Sequence, residues 1–145
     1  HVYFTYQILC PVEALGAISS WGALHQERLD GSGYPFGYRE EELPLGARIM
    51  AVADVFTAIT EDRPYRAGMS RGDATATLHQ MAGRREIDAR IVDLLLEHYA
   101  EIDAARAGNQ AAARLEYAAF REEITSWGPG TWARGPAAST AGRTA

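Results

Sequence analysis

One stretch constrains the fold more than any other. Residues 45–61 read "LGARIMAVADVFTAITE" and are apolar on nearly every side. A helix of that kind is expected to be buried, covered by other elements all round. In its middle stands Asp54. An ionised carboxylate among Met, Ala, Val and Phe is costly to bury unless it is paired or bound to a metal. The neighbours three and four positions away are Met50, Ala51, Thr57 and Ala58, which make no polar face. Two readings stay open here: a metal or buried-network role, or a solvent-facing aspartate on a one-sided helix.

The rest of the chain supplies helices. "VYFTYQIL" (2–9) reads as a short apolar helix, and Pro11 can then sit in the first turn of the next. In "VEALGAISSWGALHQ" (12–26), Leu15, Ile18, Trp21, Ala23 and Leu24 fall near helical spacing. Gly16 and Gly22 weaken that helix unless packing compensates. Residues 28–43 hold Gly31, Gly33, Pro35 and Gly37 and read as a loop. Residues 62–69, with Pro64, form a connector. Ser70 suits the N-cap of a helix over 71–82, with Asp73 at its third position and Gly83 at its end. Asp88 is placed to cap a long helix running through Ile91, Leu94, Leu95, His98 and Ile102 to about residue 124. Its second half is rich in alanine and charge, as in an extended, partly exposed helix. The tail, 128–145, is rich in Gly, Pro, Ala, Ser and Thr and is expected to be disordered. There is no internal repeat and no convincing strand alternation, so the class is all-α.

Composition narrows the function. The net charge of -5 argues against a general binder of nucleic-acid polymers or anionic membranes. All 14 basic residues are arginine, so a cationic side chain that meets a phosphate must do so with the planar guanidinium fork. The single cysteine, Cys10, cannot form an internal disulfide and suits a reducing, cytoplasmic compartment. No 18-residue apolar run could span a membrane, and no signal peptide is visible. The chain begins at His1 rather than Met, as expected for a piece of a longer protein.

Several residues could carry chemistry. His25 ends the second helix just before the glycine loop, and His1 opens the first. With Asp54 they make three donors of the kinds that bind divalent iron, manganese or zinc, on helices that could converge. Taken singly, each histidine is as ordinary as any surface or core residue. In "DGSGYP" (30–35), Gly31 and Gly33 allow positive φ and close backbone approach, so that amides can face an anion. Tyr34 adds a hydroxyl and a ring; an ordinary connecting loop would have a similar composition. In "EDRPYR" (61–66), Arg63 and Arg66 could grip phosphates bidentately, or could be solvated charges beside Glu61 and Asp62.

Taken together, "HQERLDGSGYPFG", "ARIMAVADVFTAITEDRPYRAGMS" and, more faintly, "HVYFTYQIL" resemble the HD-GYP family of metal-dependent phosphodiesterases. The resemblance runs from residue 1 to about 96. It implies a helical bundle of the HD-domain phosphohydrolase type, truncated at its N-terminus. Residues 1–96 would be the C-terminal part of that domain, 97–127 a helical extension, and 128–145 the tail. It implies hydrolysis of cyclic di-GMP to pGpG or GMP in bacterial signalling, with two or more iron or manganese ions. By the same resemblance His1, His25 and Asp54 match metal ligands, and Tyr34 is a catalytic and substrate-contacting residue beside Gly33. Arg63 and Arg66 match contacts to the substrate phosphates.

The chain departs from the family pattern at three places. The family has His-His-Glu where this chain has His25-Gln26-Glu27, and a neutral glutamine is a weaker ligand than imidazole. Thr57 stands where many members carry a second aspartate. The sequence contains no adjacent His-Asp pair, and His79 and His98 lie downstream, where a packing or surface role suits them. The alternative expectation is therefore a degenerate, catalytically inactive module that binds cyclic di-GMP or partner proteins. The isolated chain is expected not to turn over substrate. The long C-terminal helix is expected to serve homodimer or interdomain contact.

Overall fold

The helix starts follow local side-chain chemistry. In the computed structural model, which describes residues 2–63 and 65–126, Ser70 accepts a hydrogen bond from the Asp73 amide at 3.2 Å. That cap opens helix α4, Arg71–Gly83. Asp88 accepts from the amides of Arg90 and Ile91 at 2.9 and 3.4 Å and opens α5, Ala89–Glu97. Both side chains satisfy donors that the first helical turn leaves without a backbone partner. Three helices precede these: α1 (Val2–Leu9), α2 (Gly16–Leu24) and α3 (Leu45–Thr60). The last is α6, Tyr99–Ser126. Among the described residues there is no strand, only two isolated bridges, Asp30 with Arg39 and Arg63 with Arg66. The all-α class holds.

The chain divides into two units, residues 1–102 and 103–145. In the first, the core joins α3, α4, α5 and the start of α6. Val52 and Phe56 from α3 meet Leu78, Ile87, Val92, Leu95 and Tyr99, and all of these are buried. The rings of Phe56 and Tyr99 stand edge to face with centroids 5.4 Å apart. Burial of each such side chain contributes about 1.5–3 kcal/mol. In the second unit, α6 continues with Arg106 bonded to Asp103 at 2.7 Å and to Gln110 at 3.2 Å. Leu115, Tyr117, Phe120 and Ile124 there are exposed.

Several expectations need correction. The 45–61 segment is not buried all round: Ala47, Val52 and Phe56 face the core, whereas Leu45, Ile49 and Asp54 are exposed. Its apolar composition therefore misrepresents its surroundings. The helix expected over 12–26 is a 3-10 turn, Glu13–Leu15, followed by α2, which stops at Leu24. Its inward face is Ser19, Gly22 and Ala23 rather than the larger residues, and Ile18 is exposed. A methyl group at Gly22 would lie 3.1 Å from the Thr5 side chain of α1, so a larger residue there would require Thr5 to shift. The long helix after Asp88 is two helices divided at His98, whose φ of -102° and ψ of 20° leave the helical region. The turn keeps Tyr99 and Ile102 against the core while the chain changes course. The expected disordered tail, 128–145, lies outside the described residues.

Candidate functional site

The site is built where α2 ends. His25 follows the last residue of that helix, and its Nδ1 lies 2.7 Å from the Gly22 carbonyl oxygen. A carbonyl can only accept, so Nδ1 carries a proton, and in the neutral imidazole the lone pair is then on Nε2. In that tautomer Nε2 can serve as a metal ligand. The next residue, Gln26, donates from Nε2 to Asp54 Oδ2 at 3.1 Å. This contact spans 28 residues of sequence and brings the "HQE" corner onto the middle of α3. Asp54 is exposed, so the carboxylate does not pay the desolvation cost its apolar neighbours suggested.

Glu27 turns the other way. It is 3% exposed, and its two carboxylate oxygens accept from the amides of Phe36 (2.6 Å) and Tyr38 (3.1 Å). One buried side chain thereby fixes the far limb of the Gly-Tyr-Pro loop. Gly33 fixes the near limb, since a Cβ there would collide with the backbone of Glu27 and Arg28. Only a residue without a side chain permits that approach. The Tyr34 amide then donates to the Gln26 carbonyl at 3.2 Å. Gly31 and Gly37 supply the left-handed turns, with φ of 82° and 70°. Asp30 closes the first turn by accepting from the Ser32 amide at 2.9 Å and its hydroxyl at 2.7 Å. The amide first, and the hydroxyl with it, holds the Asp30 carboxyl below the usual carboxylate range. Arg28–Glu86 (3.1 Å) and Arg85–Glu40 (2.7 Å) tie the loop to the turn between α4 and α5.

The arginine segment packs on the other end of α3. The backbones of Arg63 and Arg66 bond to each other at 2.8 and 3.0 Å and close a tight turn. The Arg66 guanidinium donates to the Ala58 carbonyl at 2.5 Å. Ala58 lies one helical turn beyond Asp54, a rise of about 6 Å. Gly68 must be glycine because a Cβ would strike the Thr60 carbonyl, and its amide donates to Asp62 at 2.8 Å.

The structure thus joins Asp54 to the residue beside His25, and Tyr34 to that same residue through its backbone. Arg66 is engaged with the helix that carries Asp54, and Arg63 is exposed. His1 lies outside the described residues. His79 and His98 are exposed. Among the described residues no group of three or more His, Cys, Asp or Glu is gathered at one point. His25 Nε2 and the Asp54 carboxylate are nonetheless a chemically suitable imidazole and carboxylate for a divalent ion. Gln26 bonds one oxygen of that carboxylate, where a second imidazole would instead offer a ligand nitrogen. Sequence reasoning missed the role of Glu27. The available signal was an acid directly before a loop of free amides; nothing in the sequence marks its burial. Also missed was the packing of Trp21 across Gly46, where a Cβ would overlap the indole.

Residues 1–91 match the HD domain family. The chain is 48% identical over 79 residues to the cyclic di-GMP phosphodiesterase response regulator RpfG of Xanthomonas campestris, covering 54% of this chain and 21% of that one. It is 37% identical over 81 residues to the 3'3'-cGAMP-specific phosphodiesterase 1 of Vibrio cholerae, 56% of this chain and 19% of the relative. With a cyclic di-GMP phosphodiesterase of Thermotoga maritima it shares 39% over 74 residues, 51% and 20%. The chain spans about a fifth of the length of these relatives. With most of its folded part matched and its loop reading Gly33-Tyr34-Pro35, the chain belongs to the HD domain family, as a member of its HD-GYP type.

Proposed function

We propose that this chain is part of a metal-dependent phosphodiesterase acting on a cyclic dinucleotide, with cyclic di-GMP as substrate. The observation that carries the reading is the Gln26–Asp54 contact, which brings the end of α2, the Gly-Tyr-Pro loop and the carboxylate of α3 to one place. His25 and Asp54, with His1, would hold a divalent iron or manganese ion. Such an ion, when bound, supplies a Lewis acid and lowers the pKa of bound water. The chain's own residues do the rest. Gly33 and Tyr34 stand beside the phosphodiester, with the Tyr34 hydroxyl directed to substrate. Arg63 and Arg66 neutralise phosphate charge through charge-assisted hydrogen bonds. Glu27 holds the loop in place for both. The exposed Tyr117, Phe120 and Ile124 of α6 suit homodimer or interdomain contact. No helix among the described residues is long and apolar enough to cross a membrane, and we place the activity in the cytoplasm.

A second reading is favoured by one residue. Gln26 uses its amide on Asp54 where the family pattern has an imidazole, and this suits a module that binds the dinucleotide without hydrolysing it. One experiment separates the two. Manganese binding by the 145-residue chain is expected and should disappear in Asp54→Ala, while pGpG formation should come only from the longer protein. Retained manganese binding in Asp54→Ala would overturn the metal assignment. Absence of pGpG formation by the longer protein, with binding intact, would select the binding module. Arg63→Ala should weaken cyclic di-GMP binding by about 1.5–3 kcal/mol, the worth of a hydrogen bond to a charged group.

A further inference from the structure

A groove of about 320 Å³ runs between α1, α2 and the Gly-Tyr-Pro loop. Its walls are aromatic. Phe36 and Tyr38 are stacked on one side, with centroids 5.2 Å apart and planes 25° from parallel. Tyr3 and Tyr6 line the other side from α1, three residues apart and so on one helix face. No charged side chain lines it. Its polar lining includes Ser20, whose hydroxyl donates to the Ala17 carbonyl at 2.7 Å, and Gln7, one turn beyond Tyr3, whose amide has both a donor and an acceptor. Phe36 is 58% exposed and Tyr3 59%, so neither ring belongs to the buried core.

The groove borders the site directly. Leu24 and Pro35 both line it; Leu24 precedes His25, and Pro35 follows Tyr34. The Tyr34 amide bonds the Gln26 carbonyl, so the loop is a shared wall between groove and metal corner. A ligand with its phosphodiester at the corner would carry a neutral, planar group into an uncharged, aromatic slot. That combination describes a nucleotide base. Stacking between a base and an aromatic side chain tolerates any base, whereas an amide can read hydrogen-bonding groups on its edge.

We propose that this groove is a purine-base subsite, in which the Phe36–Tyr38 pair stacks on one base of the cyclic dinucleotide and Gln7 meets its edge. The proposal rests on the cyclic-dinucleotide reading above, and the test separates the two. Binding of cyclic di-GMP, of GMP and of ribose 5-phosphate to the 145-residue chain would be measured by calorimetry, with Phe36→Ala, Phe36→Trp, Gln7→Leu and Asp54→Ala. Circular dichroism confirms that each variant is folded. Phe36→Ala should weaken both guanine ligands about tenfold or more, from the loss of one stacking contact. Phe36→Trp should restore them, Gln7→Leu should weaken them less, and ribose 5-phosphate should respond to none of these changes. Unchanged GMP affinity in a folded Phe36→Ala, or an equal loss for ribose 5-phosphate, overturns the subsite. Binding of cyclic di-GMP that depends on Asp54 but not on Phe36 overturns the subsite and leaves the functional reading standing. Binding of GMP that depends on Phe36, in a chain where Asp54→Ala changes nothing, does the reverse. Failure to bind either guanine ligand rejects both, and an apolar peptide partner then becomes the better occupant of the groove.

Discussion

The two halves of the first unit are built to different standards. In α3–α5 a set of large apolar residues is closed over: Val52, Phe56, Leu78 and Val92 are at most 2% exposed. In α1 and α2 many of them face outward: Phe4 is 67% exposed, Ile8 72% and Ile18 46%. What is buried between α1 and α2 is small: Val2, Ser19, Gly22 and Ala23. One half therefore buries large side chains, the other mostly small ones. The chemistry-bearing corner, His25 to Tyr34, sits at the edge of the second half and leans on the first through the Gln26–Asp54 contact.

This contrast can be broken in order of effect. Phe56→Ala removes the largest fully buried ring and should cost about 3–5 kcal/mol, checked by urea denaturation. A loss near 1 kcal/mol would mean the core is looser than its burial implies. Glu27→Ala should cost about 3 kcal/mol, because two loop amides lose their carboxylate acceptor. It should also raise hydrogen exchange at Phe36 and Tyr38 while the amides of α5 stay protected; uniform loss of protection would show that loop and core are one unit. Ile18→Ser, on the open half, should change stability by no more than about 0.5 kcal/mol. The smallest effect concerns pH. Because the folded Asp30 carboxyl titrates below its unfolded value, its contribution is fully present above the unfolded pKa and is lost as pH falls through the lowered one. Asp30→Asn should flatten the acid limb of the stability curve slightly, and only there.

The sequence announced those features that depend on local chemistry. Ser70 and Asp88 cap helices because a short polar acceptor can reach an amide two or three residues on, and that geometry is encoded within four residues. The "DGSGYP" loop was legible for the same reason: Gly31 takes positive φ, and Asp30 and Ser32 close on each other. The environment of Asp54 was not legible. Its helix neighbours are apolar, yet which of them are covered depends on where α2 and α4 pack, which no window of 45–61 contains. The break at His98 was hidden likewise, since Val92, Leu95 and Tyr99 keep helical spacing across it. Glu27 reads as one more charge in "HQER", and its burial follows from partners nine and eleven residues away.

Two of the tightly hemmed glycines differ in what could ever replace them. At Gly46 the obstacle is the Trp21 indole, so a smaller residue at position 21 could make room for a side chain, and the two positions can drift as a pair. At Gly33 the obstacle is the main chain of Glu27 and Arg28, which is the same whatever residues stand there. No second-site substitution can remove it. Gly33 is therefore a fixed point in mutational space, and the loop it anchors can change its neighbours, Tyr34 included, more freely than it can change its own position.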